Sequence, residues 1–212
     1  MSSENLPSGA DATRRLAAVI SADIADYAGL MGADDVSTTR NGRRSRTEVV
    51  EPAVTEFSGR LVKHTGDGFL VEFTSASDAV RCAVAIQERQ QVFNSGLEGN
   101  PGFSYRLGIN LGDILSDAED IYGDGVNIAA RIRSLASPTE VLLSSAVYEQ
   151  VRNKNDFELE DFGQHELKNI ARPVTVWRVC TGIAETSAVE PTAATVAVAP
   201  PTPANMDERP SI

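Results

Sequence analysis

Gly66-Asp67-Gly68 stands between two short strand-like runs, Arg60 to His64 and Phe69 to Phe73. Asp-Gly in that setting is a strong hairpin signal, because tight turns need left-handed dihedrals that Gly adopts freely and Asp tolerates. What constrains the fold is that helical patterns bracket this hairpin on both sides. Upstream, Leu16 to Ile20 is an apolar run ending at Ser21-Ala22-Asp23, as a buried strand does. Residues 34–57 then read as a helix with Asp34 and Asp35 as candidate caps. Asn41-Gly42 and Pro52 predict loosening or a kink inside it. Downstream, residues 75–93 carry an apolar stripe through Ala79, Cys82, Ala83, Ile86 and Phe93, with Ser75 or Ser77 as N-cap. Tyr105 to Leu111 reads as a strand, Ile114-Leu115 as the start of a hairpin return, and Asp124 to Leu135 as a helix stopped near Pro138. Residues 140–143, 145–151, 157–162 and 174–179 predict strand, short helix, strand and strand. The order β-α-β-β-α-β, followed by an αβ extension, predicts an α+β domain with a ferredoxin-like core and an antiparallel-rich sheet.

The ends predict no packed structure. Residues 1–13 are polar, and residues 183–212 hold five of the ten prolines, which leaves no helical or strand pattern and reads as a disordered tail or linker. One domain over residues 14–182 remains. A net charge of −11 repels polyphosphate backbones and argues against nucleic acid as a partner. Cys82 and Cys180 are too far apart in sequence for a metal knuckle and too few for a disulfide scaffold, which fits a reducing compartment. No apolar stretch approaches the ~20 residues of a membrane span. Residues 1–13 lack a secretory pattern. The expectation is a cytoplasmic protein with no membrane partner.

Two groups of residues suggest chemistry. In a split βαβ sheet the first strand lies beside the strand that follows the hairpin, so Asp23 and Asp67 approach each other. Two such carboxylates repel, and a divalent cation relieves the repulsion. A plain turn at Asp67 and a strand-end cap at Asp23 are the simpler readings of each alone. The second group lies in Asp120-Ile-Tyr-Gly-Asp-Gly-Val-Asn127-Ile-Ala-Ala-Arg131. Asn127 and Arg131 are four apart and share a helix face. An amide beside a guanidinium fork suits a phosphate or sugar, although a solvated face has the same pattern.

Ala22-Asp23-Ile24, Val62-Lys63-His64-Thr65-Gly66-Asp67-Gly68, the segment from Asp120 to Arg131, and Leu167-Lys168-Asn-Ile-Ala-Arg-Pro together resemble the class III adenylate and guanylate cyclase catalytic domains. The likeness is greatest to bacterial adenylate cyclases and covers about residues 14–180. The resemblance implies a head-to-tail homodimer with active sites at its interface. Asp23 and Asp67, with the carbonyl of Ile24, match the positions that hold two Mg²⁺ or Mn²⁺ per site. Lys63 and Asp120 match the pair that reads adenine. Guanylate cyclases typically carry Glu in place of Lys63, so the resemblance implies ATP as substrate and cyclic AMP as product. Asn127 matches the ribose-orienting residue, Arg131 the group that stabilises charge on the α-phosphate, and Lys168 the holder of the β- and γ-phosphates. A catalytically weak or inactive nucleotide-binding module of the same fold is the alternative.

Asp26 departs from that pattern. The family usually has Gly there, in the turn that wraps the triphosphate, and a side chain narrows the allowed dihedrals. Elsewhere the readings are plain: His64 and His165 packing or on the surface, Glu72 solvent-facing, Cys82 in the core, Trp177 packing in the last strand, and Arg40, Arg43, Arg44 and Arg46 on a solvated helix face, with a regulatory or dimer contact as the alternative.

Overall fold

The computed structural model describes residues 13–97, 102–117, 119–154, 156–170 and 172–181. The proposed terminal segments, 1–13 apart from Thr13 and 183–212, lie outside the described residues.

β1 (Thr13–Ile24) is buried without a break from Ala17 to Ile24, which is why its sequence reads as an apolar run and not as an alternation. Ala18, Ile20, Ala22 and Ile24 enter the main core, while Ala17 and Val19 enter a smaller cluster on the opposite face. β3 (Gly68–Phe73) and β4 (Tyr105–Ser116) flank β1, both antiparallel to it. The remaining strands are β2 (Arg60–His64), β5 (Ile121–Tyr122), β6 (Val141–Ser144), β7 (Leu159–His165) and β8 (Val174–Val179). Their order is β2-β3-β1-β4-β6-β8-β7, with β5 beside β4. The first four positions are the ferredoxin-like arrangement that the element order predicts. β6 joins β4 in parallel and extends the sheet.

The main core lies between one sheet face and the helices α3 (Glu51–Glu56), α4 (Ala76–Ser95) and α6 (Ser145–Val151), with Val49 and Val50 added from the turn that follows α2 (Asp35–Ser45). Asp34 caps α2 by accepting the Ser37 N–H at 2.9 Å. Ser75 caps α4 by accepting the Asp78 N–H at 3.3 Å. Residues 35–56 form one run in which Asn41 and Gly42 are buried without a break. The kink predicted at Pro52 is instead a π-helical turn, Arg46–Val50, in which the Glu51 N–H donates to the Arg46 carbonyl. The register has already shifted where Pro52, which has no N–H, enters the first turn of α3. Ser45, at the start of that turn, lies 2.6 Å from Gln90 Oε1 and 2.9 Å from the Tyr105 hydroxyl, pinning the run to α4 and β4. Burial pushes the Tyr105 hydroxyl pKa up to about 12.

Several expectations need correction. A short helix, α1 (Tyr27–Ala33), follows β1 and carries no strong apolar stripe. β4 runs straight through Gly112-Asp113, so the hairpin return is β5 and not Ile114-Leu115. β7 (Leu159–His165) runs three residues beyond the strand predicted over 157–162, so His165 ends a strand. Glu72 is only 6% exposed, because its sheet face is not bare. Its Oε1 accepts from Arg15 at 2.5 Å and Arg60 at 2.6 Å. Burial raises its pKa, but the two guanidiniums outweigh burial and leave it below the usual range.

Candidate active site

The ends of β1 and the hairpin do meet. Asp23 pairs in register with Gly68 on one side and Arg106 on the other. The Ile24 N–H donates to the Asp67 carbonyl at 2.9 Å, so the two aspartates lie on adjoining backbone. At the tip Gly66 takes the left-handed position (φ 71°), and Asp67 does not share it. A type I′ turn needs two such residues, so this hairpin closes differently. Arg46 donates to the Gly66 carbonyl from the π turn. Arg43 and Arg46 also line a cavity of about 180 Å³ with Ile24, Tyr27 and Gly66. The basic cluster is thus only partly a solvated face: Arg44 pairs with Glu48 at 2.9 Å, while Arg46 buttresses the hairpin.

Two arginines that the sequence reading missed define the electrostatics here. Arg106 donates to both oxygens of Asp23, at 2.9 Å and 2.7 Å. Arg133 brings its Nε to 3.3 Å from Asp23 Oδ2. The Asp23 carboxylate is 9% exposed, so this is a nearly buried three-member cluster and not a bare pair of repelling carboxylates. The Arg106 pKa is raised, first by its hydrogen bond to Asp23, against burial, and then by the charges of Asp23 and Asp67. Both carboxylates therefore act on one guanidinium. The groups expected to hold a metal here, the Asp23 and Asp67 carboxylates and the Ile24 carbonyl, all offer oxygen, which suits a hard cation such as Mg²⁺ that keeps several waters and shares substrate phosphates. Any such cation would compete with the arginines for Asp23.

α5 (Asp124–Arg133) crosses the opposite sheet face from the main core. It can do so because β4 presents Gly108: a Cβ there would lie 2.2 Å from the Arg133 nitrogen and 2.5 Å from the Ala129 carbonyl oxygen. Gly125, Ala129 and Ile132 are its buried residues. Asn127 and Arg131 are exposed on its outer side, sharing a face as their spacing predicts. The side chain that α5 sends to Asp23 of its own chain is Arg133, not Arg131. Leu167 and Ile170 pack in the cluster around Ile132, and this seats the exposed Lys168 turn near α5.

Lys63 and Asp120 form an ion pair, Nζ to Oδ2 at 2.5 Å. A register shift in β2 between Leu61 and Lys63 turns the strand before it reaches Asp120. Burial raises the Asp120 pKa, but the Lys63 hydrogen bond and the Ile121 N–H outweigh it and leave the carboxyl below its usual range. Tyr122 stands beside the pair, half-exposed, with Lys63 Nζ 6.0 Å from its ring centre. His64 has Glu51 at 3.8 Å, and burial first, then the Arg46 charge, lowers its pKa. Asp26 adopts the left-handed conformation (φ 50°) that Gly favours, and it is exposed.

Residues 17–180 match the model of the adenylate and guanylate cyclase catalytic domain. A Rhizobium meliloti protein named "Putative adenylate cyclase 3" is 46% identical over 164 residues, covering 77% of this chain and 28% of that protein. An adenylate cyclase of Streptomyces coelicolor is 30% identical over 135 residues, covering 58% of this chain and 34% of that one. This chain thus spans about a third or less of both proteins. Among solved structures, the adenylate/guanylate cyclase/hydrolase from Silicibacter pomeroyi is 36% identical with a TM-score of 0.74, covering 80% of this chain and 98% of that one. The adenylyl cyclase CyaB from P. aeruginosa, 23% identical with a TM-score of 0.69 over 80% of this chain and 96% of its own, shares the fold.

Proposed function

The chain belongs to the adenylate and guanylate cyclase catalytic domain family, and on that premise we propose that it converts ATP to 3′,5′-cyclic AMP and pyrophosphate as a homodimer. The observation that carries the choice of substrate is the Lys63–Asp120 pair. A cationic donor suits N1 of adenine, and a carboxylate accepts from its 6-amino group. Guanine presents a keto oxygen there, which would leave Asp120 facing an acceptor.

The 3′-hydroxyl of ribose loses its proton to solvent as its oxygen attacks the α-phosphorus in line, the bond from that phosphorus to the α,β-bridging oxygen breaks, and pyrophosphate departs. Asp23, Asp67 and the Ile24 carbonyl would hold two divalent cations, Mg²⁺ or Mn²⁺, which supply Lewis-acid charge at the 3′-hydroxyl and the triphosphate. Asn127 orients the ribose. Arg131 offers its guanidinium to the charge that grows on the α-phosphate, and Lys168 pairs with the outer phosphates. Asn127 and Arg131 lie on the outer side of α5, away from their own Asp23, which supports a site shared between two chains.

A second reading is a nucleotide-binding module with little turnover, and one observation favours it: Asp23 is already neutralised by two arginines. Purified protein incubated with ATP or GTP and Mg²⁺ or Mn²⁺ separates the readings. Cyclic AMP with stoichiometric pyrophosphate, and little cyclic GMP, supports the cyclase. Nucleotide binding without product, at concentrations that sustain a dimer, supports the module.

A further inference from the structure

Arg133 is not needed to neutralise Asp23, since Arg106 already engages both carboxylate oxygens. Arg133 nonetheless reaches the same group from a different element. Its Nη1 donates to the Ser21 hydroxyl at 3.1 Å, two residues before Asp23 on the same face of β1. Its Nε is buried and has no hydrogen-bond partner among the described residues, although it lies 3.3 Å from Asp23 Oδ2. Its backbone is held down on Gly108, so the side chain leaves α5 from a fixed point. A guanidinium tied at both ends keeps its charge where it is when the other partners of Asp23 change.

We propose that Arg133 is a positioning residue that acts through Asp23. It holds that carboxylate at the end of β1 and, as a fixed neighbouring charge, sets how tightly the carboxylate takes a divalent cation. The inference rests on the reading of Asp23 as a cation-holding residue. A like charge within a few ångströms of an incoming cation weakens its binding, and the weakening is largest at a nearly buried site. Arg133 therefore keeps cation affinity low until a triphosphate adds its own charge. This ties cation loading to the presence of nucleotide.

Titrating Mn²⁺ into the full chain without nucleotide, and following free Mn²⁺ by its paramagnetic signal, tests this apart from turnover. Arg133→Gln, which removes the charge and leaves a polar amide near the Nε position, should bind Mn²⁺ more tightly by on the order of tenfold. Arg133→Lys keeps the charge and should bind within about twofold of the unaltered protein. A role in packing alone would move both variants alike, and melting temperature reports any loss of fold. Asp23→Asn is the control for the underlying reading. If Asp23→Asn abolishes Mn²⁺ binding while Arg133→Gln leaves it unchanged, the proposal for Arg133 is overturned and the cation site stands. If Asp23→Asn binds like the unaltered protein, or no Mn²⁺ binds at all even with a non-hydrolysable ATP analogue, both are overturned.

Discussion

Lys63 and Asp120, 57 residues apart in sequence, meet through a 2.5 Å contact between Nζ and Oδ2. The pair is more open to solvent on the Lys63 side than on the partly buried Asp120 side, so Asp120 is the less adaptable partner. Its lowered pKa keeps it ionised, and an acceptor only, across the neutral range.

Exchanging this pair should change base choice. Lys63→Glu combined with Asp120→Ser should lower kcat/KM for ATP by about 10²-fold or more and admit measurable GTP turnover, because a site built on hydrogen bonds rejects a ligand that leaves them unmade. Cyclic AMP and cyclic GMP are quantified from the same preparations. An unchanged ATP preference in a folded double variant would remove both residues from the purine pocket.

Asp23→Ala and Asp67→Ala should both abolish turnover, since each removes charge from the proposed cation site. Their effects on stability should differ. Two close carboxylates alone would predict relief on removing one, but Asp23 is flanked by Arg106 and Arg133. Removing it leaves two guanidiniums without their partner and should cost about 1–3 kcal/mol. Asp67, partly buried at the hairpin tip with no side-chain ion pair among the described residues, should cost little. Urea unfolding of the two variants makes the comparison.

Glu72 predicts an acid limb of stability. Its folded pKa lies below its unfolded value, so its contribution is present above the unfolded pKa, about 4.3, and is lost as pH falls through the folded one. Glu72→Gln should destabilise the protein by about 1–2 kcal/mol at pH 7, a value reduced by the partial exposure of Arg15 and Arg60. The difference from the unaltered protein should narrow below about pH 4. Equal pH profiles for the two proteins would exclude Glu72 as the titrating group.

Most of the framework that places these groups was legible in the sequence. The hairpin signal at Gly66-Asp67-Gly68 and the element order decide which strands are neighbours, and from that the approach of Asp23 to Asp67 follows. The four-residue spacing places Asn127 and Arg131 on one face. What the sequence hides is long-range. Arg106 reaches Asp23 only because β1 and β4 pair in one register, across 83 residues. Arg133 reaches it only because α5 seats on Gly108. Alternation along β3 puts Glu72 on one face but says nothing of the arginines that cover it from β1 and β2.

The shared site predicts complementation between dead variants. Within one chain Arg133 lies against Asp23, and Arg131 points outward from the same helix. In the proposed head-to-tail dimer each site then takes Asp23 and Asp67 from one chain and Asn127 and Arg131 from the other. Asp23→Ala homodimers should be inactive, and Arg131→Ala homodimers should lose ~10²–10³-fold in rate, as on removal of one transition-state donor. Mixing the two should form heterodimers in which one site carries both lesions and the other carries neither. With random pairing and independent sites, activity should climb towards about a quarter of that of the unaltered enzyme. The rise requires subunit exchange, so it should grow with time and vanish if each homodimer is cross-linked first. A mixture that stays at the average of its parents, although exchange is proven by labelled subunits, would mean that each site is built within one chain.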